Sequence, residues 1–223
     1  MLERTVNGSR YAVWLPDGYD PAKAWPVIVF LHGSGECGTD GLRQTEVGLG
    51  PALRRDPERW PFIVLLPQKP DQQSMWEDLT GMVFVELNEV RSEFHIDEDR
   101  IYLTGLSRGG RGTWAIAAEH PEAWAAIAPI CAHGDPALGA EVALLPIWAF
   151  HGADDDVNAP EQSLLLVEAA RVERAHRREA GLPVSGPEPR LTIYPQTNHN
   201  SWDRAYAEPD LPAWFLSFSR AKP

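Results

Sequence analysis

The 223-residue chain is expected to fold as an α/β protein around a mostly parallel central sheet, with helices on both faces and no large lid. Two features carry this expectation. Val27-Ile28-Val29-Phe30-Leu31 and Phe62-Ile63-Val64-Leu65-Leu66 are apolar at every position, the pattern of strands buried on both faces. Segments of helical spacing separate such runs, and strands that alternate with helices join in parallel through right-handed crossovers. A third feature fits the same frame: Gly105-Leu106-Ser107-Arg108-Gly109 falls where a strand should give way to a helix.

The elements follow in order. Asn7-Gly8 is a type I′ turn signal, so residues 4–6 and 10–15 read as an opening hairpin. Residues 16–26 are turn-rich and lead into the first apolar strand, which ends at His32-Gly33-Ser34-Gly35-Glu36. The second apolar strand ends at Pro67-Gln68. Residues 82–94 place Val83, Leu87, Val90 and Phe94 on one helical face. Residues 101–104 form the next strand, followed by a helix that runs to about His120 and stops at Pro121. Further strands are expected at 124–130, 146–150 and 191–194, with a helix over 160–180 between the last two. Residues 181–189, rich in Gly, Pro and Ser, read as a surface loop. Arg171, Arg174, Arg177 and Arg178 read as the solvated face of the preceding helix rather than as a docking patch.

Length points to a single domain spanning 1–223. A net charge of -12 disfavours nucleic acid and anionic membranes as partners. The first residues lack an apolar signal core and no later run approaches a membrane span, so the chain as it stands is expected to be cytoplasmic. Cys37 and Cys131 lie in no CxxC motif and are expected to be free thiols. No metal-ligand spacing, phosphate loop or dinucleotide fingerprint is present, so no cofactor is implied.

In open parallel sheets the working groups gather at the carboxyl ends of the strands. Four segments reach that edge here. Ser107 occupies the sharp strand-to-helix turn, flanked two residues away on each side by glycine. A serine hydroxyl needs a base within hydrogen-bond reach, and His199, on the loop after the last strand, is the candidate. An orienting acid is offered by Asp154, Asp155 or Asp156, just past the strand that ends at Phe150. Backbone N–H groups for an oxyanion are offered by Ser34 or Gly35 after the first apolar strand, together with the N–H of Arg108. Cys131 also follows a strand but has no paired base and reads as packing.

With these residues in place the chain resembles the α/β-hydrolase superfamily, in particular the small esterases related to polyhydroxybutyrate-depolymerase and feruloyl-esterase domains, often labelled predicted peptidases. The resemblance rests on Leu31-His32-Gly33-Ser34-Gly35-Glu36, Leu66-Pro67-Gln68, Gly105-Leu106-Ser107-Arg108-Gly109-Gly110 with Gly112-Thr113-Trp114, His151-Gly152-Ala153-Asp154-Asp155, and His199-Asn200-Ser201-Trp202. It implies an α/β-hydrolase fold with Ser107, Asp155 and His199 as the triad. The family's H-G-x-x-D spacing, counted from His151, selects Asp155, whereas D-x-x-V counted back from Val157 selects Asp154. Cys37 stands where the family has arginine. Trp76 matches a family position near the site and is expected either to line the substrate pocket or to pack in the core, and the same holds for Trp202. The short segment from Cys131 to Leu145 leaves no room for a lid. The implied function is a serine carboxylesterase acting on short-chain or aromatic, feruloyl-like esters. A peptidase using the same machinery and a non-catalytic binding protein on a hydrolase scaffold are the alternatives.

Overall fold

The computed structural model describes residues 1–220. Strands β1 (Leu2–Val6) and β2 (Ser9–Trp14) form an antiparallel hairpin, and both turn residues, Asn7 and Gly8, have positive φ as a type I′ turn requires. Strands β3 (Trp25–Leu31), β4 (Ile63–Pro67), β5 (Ile96–Leu106), β6 (Ala126–Ile130), β7 (Trp148–Gly152) and β8 (Arg190–Tyr194) complete an eight-stranded sheet in the order β1-β2-β4-β3-β5-β6-β7-β8. Every pairing from β4 to β8 along this order is parallel; the hairpin joins antiparallel through β2 and β4.

The apolar runs behave as their composition dictates. Alternate residues of each strand enter opposite cores: Val27, Val29 and Leu31 face one, Ile28 and Phe30 the other. The first core is capped by α2 (Thr80–Glu93), α3 (Arg108–Glu119) and α5 (Glu161–Glu179), through Val83, Leu87, Ile116 and Leu166. The second is capped by α1 (Leu49–Arg55), α6 (Trp202–Ala207) and α7 (Leu211–Leu216), through Leu53, Tyr206 and Phe215. Burying a side chain of this size stabilises the fold by about 1.5–3 kcal/mol. α4 (Ala137–Glu141) is the one α-helix between β6 and β7, too small to act as a lid. Among the described residues, no helix is long and apolar enough to cross a membrane.

Two features depart from the sequence reading. β5 begins at Ile96, five residues before its apolar run, because Ile96 pairs with Trp25 across an irregularity in β3. Arg174 is not on a solvated face. It is buried, and its guanidinium donates to the carbonyls of Ala143, Ser185 and Gly186, tying the 181–189 loop to α5.

Glu86 is the buried carboxyl of α2. Ser9 Oγ lies 2.6 Å from its Oε1, while Oε2 has no partner among the described residues. Burial pushes its pKa up to about 8. Because the folded value lies above the unfolded one, the fold favours the protonated acid. Stability is therefore highest below the unfolded pKa and declines as pH rises toward 8, by at most about 1.4 kcal/mol per unit. Glu86→Gln is expected to flatten that decline and to raise the urea midpoint at pH 9 relative to the parent. Parallel stability–pH curves for the two proteins would count against this assignment.

Candidate active site

Three strand ends converge on Ser107. β5 ends at Leu106, and the chain turns directly into α3 with Ser107 at φ 54° and ψ −116°, a strained conformation for a residue with a side chain. The turn is held because the Ser107 N–H donates to the Ile130 carbonyl at 2.9 Å, with Cys131 Sγ at 3.2 Å. Cys131 is fully buried, itself has φ 41°, and its thiol is pushed up to about 12 by burial. It packs beneath the serine. Gly109 is required by contact: a Cβ there would stand 1.9 Å from the Leu31 carbonyl oxygen, so any side chain would pry α3 away from β3.

His199 reaches the serine from the loop after β8. Ser107 Oγ–H donates to His199 Nε2 at 3.0 Å, and His199 Nδ1–H donates to Asp155 Oδ2 at 2.8 Å. The acid and histidine loops are stitched together by backbone bonds from Ala153 N–H to Tyr194 O and from Asp154 N–H to Thr197 O, each 2.9 Å. Gly152 allows this approach, since a Cβ there would lie 2.3 Å from the carbonyls of both Thr197 and Asn198. Of the three adjacent acids, Asp155 is buried and meets His199; Asp154 and Asp156 are exposed. Burial alone would raise the Asp155 pKa. The hydrogen bonds from His199 and from the Asn158 and Val157 N–H groups outweigh it and hold the carboxyl below its ordinary value.

The segment after β3 closes the other side. A Cβ on Gly33 would come within 3.6 Å of Ser107 Cβ, so the N–H groups of Ser34 and Gly35 begin beside Ser107. Among the described residues neither N–H has an acceptor, and the Arg108 N–H is free because it opens α3. His32 pins this segment from below. Its Nδ1–H donates to Gly33 O at 2.6 Å, its Nε2 accepts the Lys69 N–H at 2.8 Å, and burial pushes its pKa down to about 4, so it stays neutral.

Trp76 is 1% exposed, its indole N–H donates to the His32 carbonyl at 3.0 Å, and its ring meets the His32 imidazole edge-on. It supports the segment after β3 from inside. Trp202 is half-buried and packs edge-on against His199 with ring centres 5.5 Å apart, so it lies at the site. Sequence reasoning passed over the rim. The Arg108 guanidinium donates to Gln72 O, Gln72 Nε2 donates to Ser34 O at 3.2 Å, and Arg111 pairs with Glu77 at 2.8 Å. None of these belongs to a motif with recognisable spacing.

No family model matches the chain. Among solved structures it is similar to a thermostable esterase, 31% identical with a TM-score of 0.81, over 95% of this chain and 60% of that one. The chain has the α/β-hydrolase fold. It also superposes, with a TM-score of 0.71 and 17% identity, on a serine-to-alanine mutant of the feruloyl esterase module from Clostridium thermocellum complexed with sinapinate. That match covers 97% of this chain and 87% of the module, and at this identity it bears on fold alone. Among curated proteins, the chain is 33% identical over 103 residues to a bifunctional acetylxylan esterase/xylanase of Neocallimastix patriciarum, covering 43% of this chain and 15% of that protein. It therefore spans less than two thirds of the length of both the thermostable esterase and the curated relative.

Proposed function

We propose that residues 1–223 form one catalytic domain, a serine carboxylesterase that hydrolyses short-chain or aromatic esters through an acyl-enzyme. The observation that carries this reading is the continuous line from Ser107 Oγ through His199 to Asp155, with a 3.0 Å and a 2.8 Å hydrogen bond. In it, Ser107 Oγ attacks the ester carbonyl carbon as His199 Nε2 takes its proton, and Asp155 stabilises the imidazolium. The oxyanion is held by the Arg108 N–H and by that of Ser34 or Gly35. The imidazolium protonates the departing alcohol, water enters, His199 takes a proton from it, and collapse of the second oxyanion returns the carboxylic acid and free Ser107. Esterase relatives support the ester over the amide as substrate, and Trp202 is the aromatic wall offered to it. The ordered triad speaks against a purely binding role.

Two measurements test the reading. A fluorophosphonate probe should label Ser107. The protein should also hydrolyse p-nitrophenyl acetate or a methyl ferulate in true solution, with peptide amides far poorer substrates. Because no lid covers Ser107 among the described residues, no interfacial activation is expected. Turnover that begins only above the solubility limit of a long-chain ester would contradict the open site.

A further inference from the structure

The sheet has two edges, and they are built differently. β1 carries Glu3 and Arg4, and Arg4 pairs with Glu93 on α2. Charges of this kind deter a further strand from adding to an edge. β8, at the other edge, carries only Arg190, whose guanidinium carbon lies 3.6 Å from the centre of the Trp148 ring. The register with β7 shows which of its backbone groups are free. Arg190 N–H donates to Ile147 O and Tyr194 O accepts from Ala153 N–H, so residues 190, 192 and 194 bond toward β7. The N–H and C=O groups of Leu191 and Ile193 therefore point away from the sheet, and among the described residues they have no partner.

Apolar side chains gather along the same edge. Of the nine exposed large apolar residues among the described residues, five (Leu164, Leu165, Val172, Leu182 and Ile193) lie on α5, on β8 or in the loop that joins them. Pro160, Leu164, Leu191 and Ile193 line an open hollow of about 240 Å³ beside the strand. An apolar patch next to a row of unpaired backbone groups marks an interaction surface.

We propose that β8 and α5 form the interface of a homodimer, in which β8 pairs antiparallel with β8 of a second copy about a two-fold axis at Thr192. Self-complementarity selects this occupant. Pro189 and Pro195 flank the strand; neither has an N–H, and the Pro189 carbonyl already accepts from Arg171 Nη2 at 2.8 Å. Leu191 and Ile193 are left to bond, and one register satisfies both. It sets Leu191 opposite Ile193 of the second copy and Ile193 opposite Leu191 of the second copy, each couple exchanging both of its N–H to O=C bonds. The same axis leaves the two copies of α5 antiparallel on one face of the joined sheet. α5 starts with Glu161 and ends with His176, Arg177 and Arg178, so the acidic first turn of each helix lies toward the basic last turns of the other. A foreign strand could meet the backbone bonds but not this match of ends, which a second copy carries by symmetry. The interface excludes Ser107, Asp155 and His199, so the inference stands apart from the esterase reading.

Sedimentation velocity over a dilution series starting at about 100 μM, where a homodimer with a micromolar Kd is populated, tests the proposal. The expected species has twice the 24.8 kDa of one chain and dissociates on dilution; a monomer at every concentration would overturn the proposal. Ile193→Lys and Leu165→Glu set charges into the interface and should each weaken dimerisation by roughly tenfold or more. Leu42→Lys, at an exposed site beside β2, should leave it unchanged. A dimer that survives both interface substitutions in folded protein would place the contact elsewhere and refute the assignment.

Amide hydrogen exchange on the parent needs no variant. In the dimer the N–H groups of Leu191 and Ile193 should be protected along with those of Thr192 and Tyr194. On dilution to the monomer the first two should lose protection and the other two keep it. Fast exchange at Leu191 and Ile193 under conditions where the protein sediments as a dimer would also sink the proposal.

Discussion

Ser107→Ala is expected to reduce kcat on an activated ester on the order of 10⁶-fold, as loss of the nucleophile does when the triad acts as a unit. The fluorophosphonate label should vanish with it. The variant should still fold, since the elbow is held by the Ser107 N–H to Ile130 O and by the close approach of Gly109 to β3, neither of which involves the hydroxyl. Activity within tenfold of the parent in pre-steady-state and steady-state assays would remove Ser107 from the chemistry.

Asp155→Asn is the second large effect, a loss on the order of 10⁴ in kcat when a triad acid becomes its amide. The hydrogen-bond inventory explains the severity. Asp155 accepts from three donors on two oxygens, and an amide offers one oxygen and an NH₂ group. Whichever way the amide is placed, it turns a donor toward donors, either the Val157 and Asn158 N–H groups or the His199 Nδ1–H. His199 is then driven to the wrong tautomer. Asp154→Asn and Asp156→Asn, at exposed positions, are expected to cost roughly tenfold or less. Measuring kcat for all three on one ester decides the matter, and an inactive Asp154→Asn beside an active Asp155→Asn would refute the assignment.

The fold was legible in the sequence where burial on both faces leaves no polar residue in a strand, as in β3 and β4. It was less legible where an element is too short to show a period. α1, seven residues long with a Gly-Pro pair, shows no helical period in the sequence, yet forms with Leu49 and Leu53 buried. The six-residue helices α6 and α7 are similar cases, anchored by Tyr206 and Phe215. At the site, Ser107 and His199 could be found because strand ends are where such groups collect, whereas Asp154 and Asp155 differ only in a one-residue register that the side-chain geometry distinguishes. His151 could be seen only as the anchor of a spacing. That its Nε2 lies 2.9 Å from the Asn158 carbonyl oxygen depends on how the loop after β7 curls back, and residue types do not reveal that. Arg174 misleads because an arginine on a charged helix usually faces solvent, and here it is buried to satisfy particular carbonyls; for Trp76 the sequence left pocket and core both open, and the indole is buried against the His32 carbonyl.

The contact between Gly109 and Leu31 has a consequence for how this scaffold can change. It fuses the nucleophile turn to the end of β3, so the serine and the N–H groups beyond β3 form one rigid block. Directed evolution toward a new ester should therefore find few tolerated substitutions at 31–33 or 105–110, because any that shift one partner misplace the other. Adaptive changes should instead concentrate at Gln72 and Trp202, which flank that block without being part of it, so that selectivity can drift while the geometry of the block is inherited unchanged.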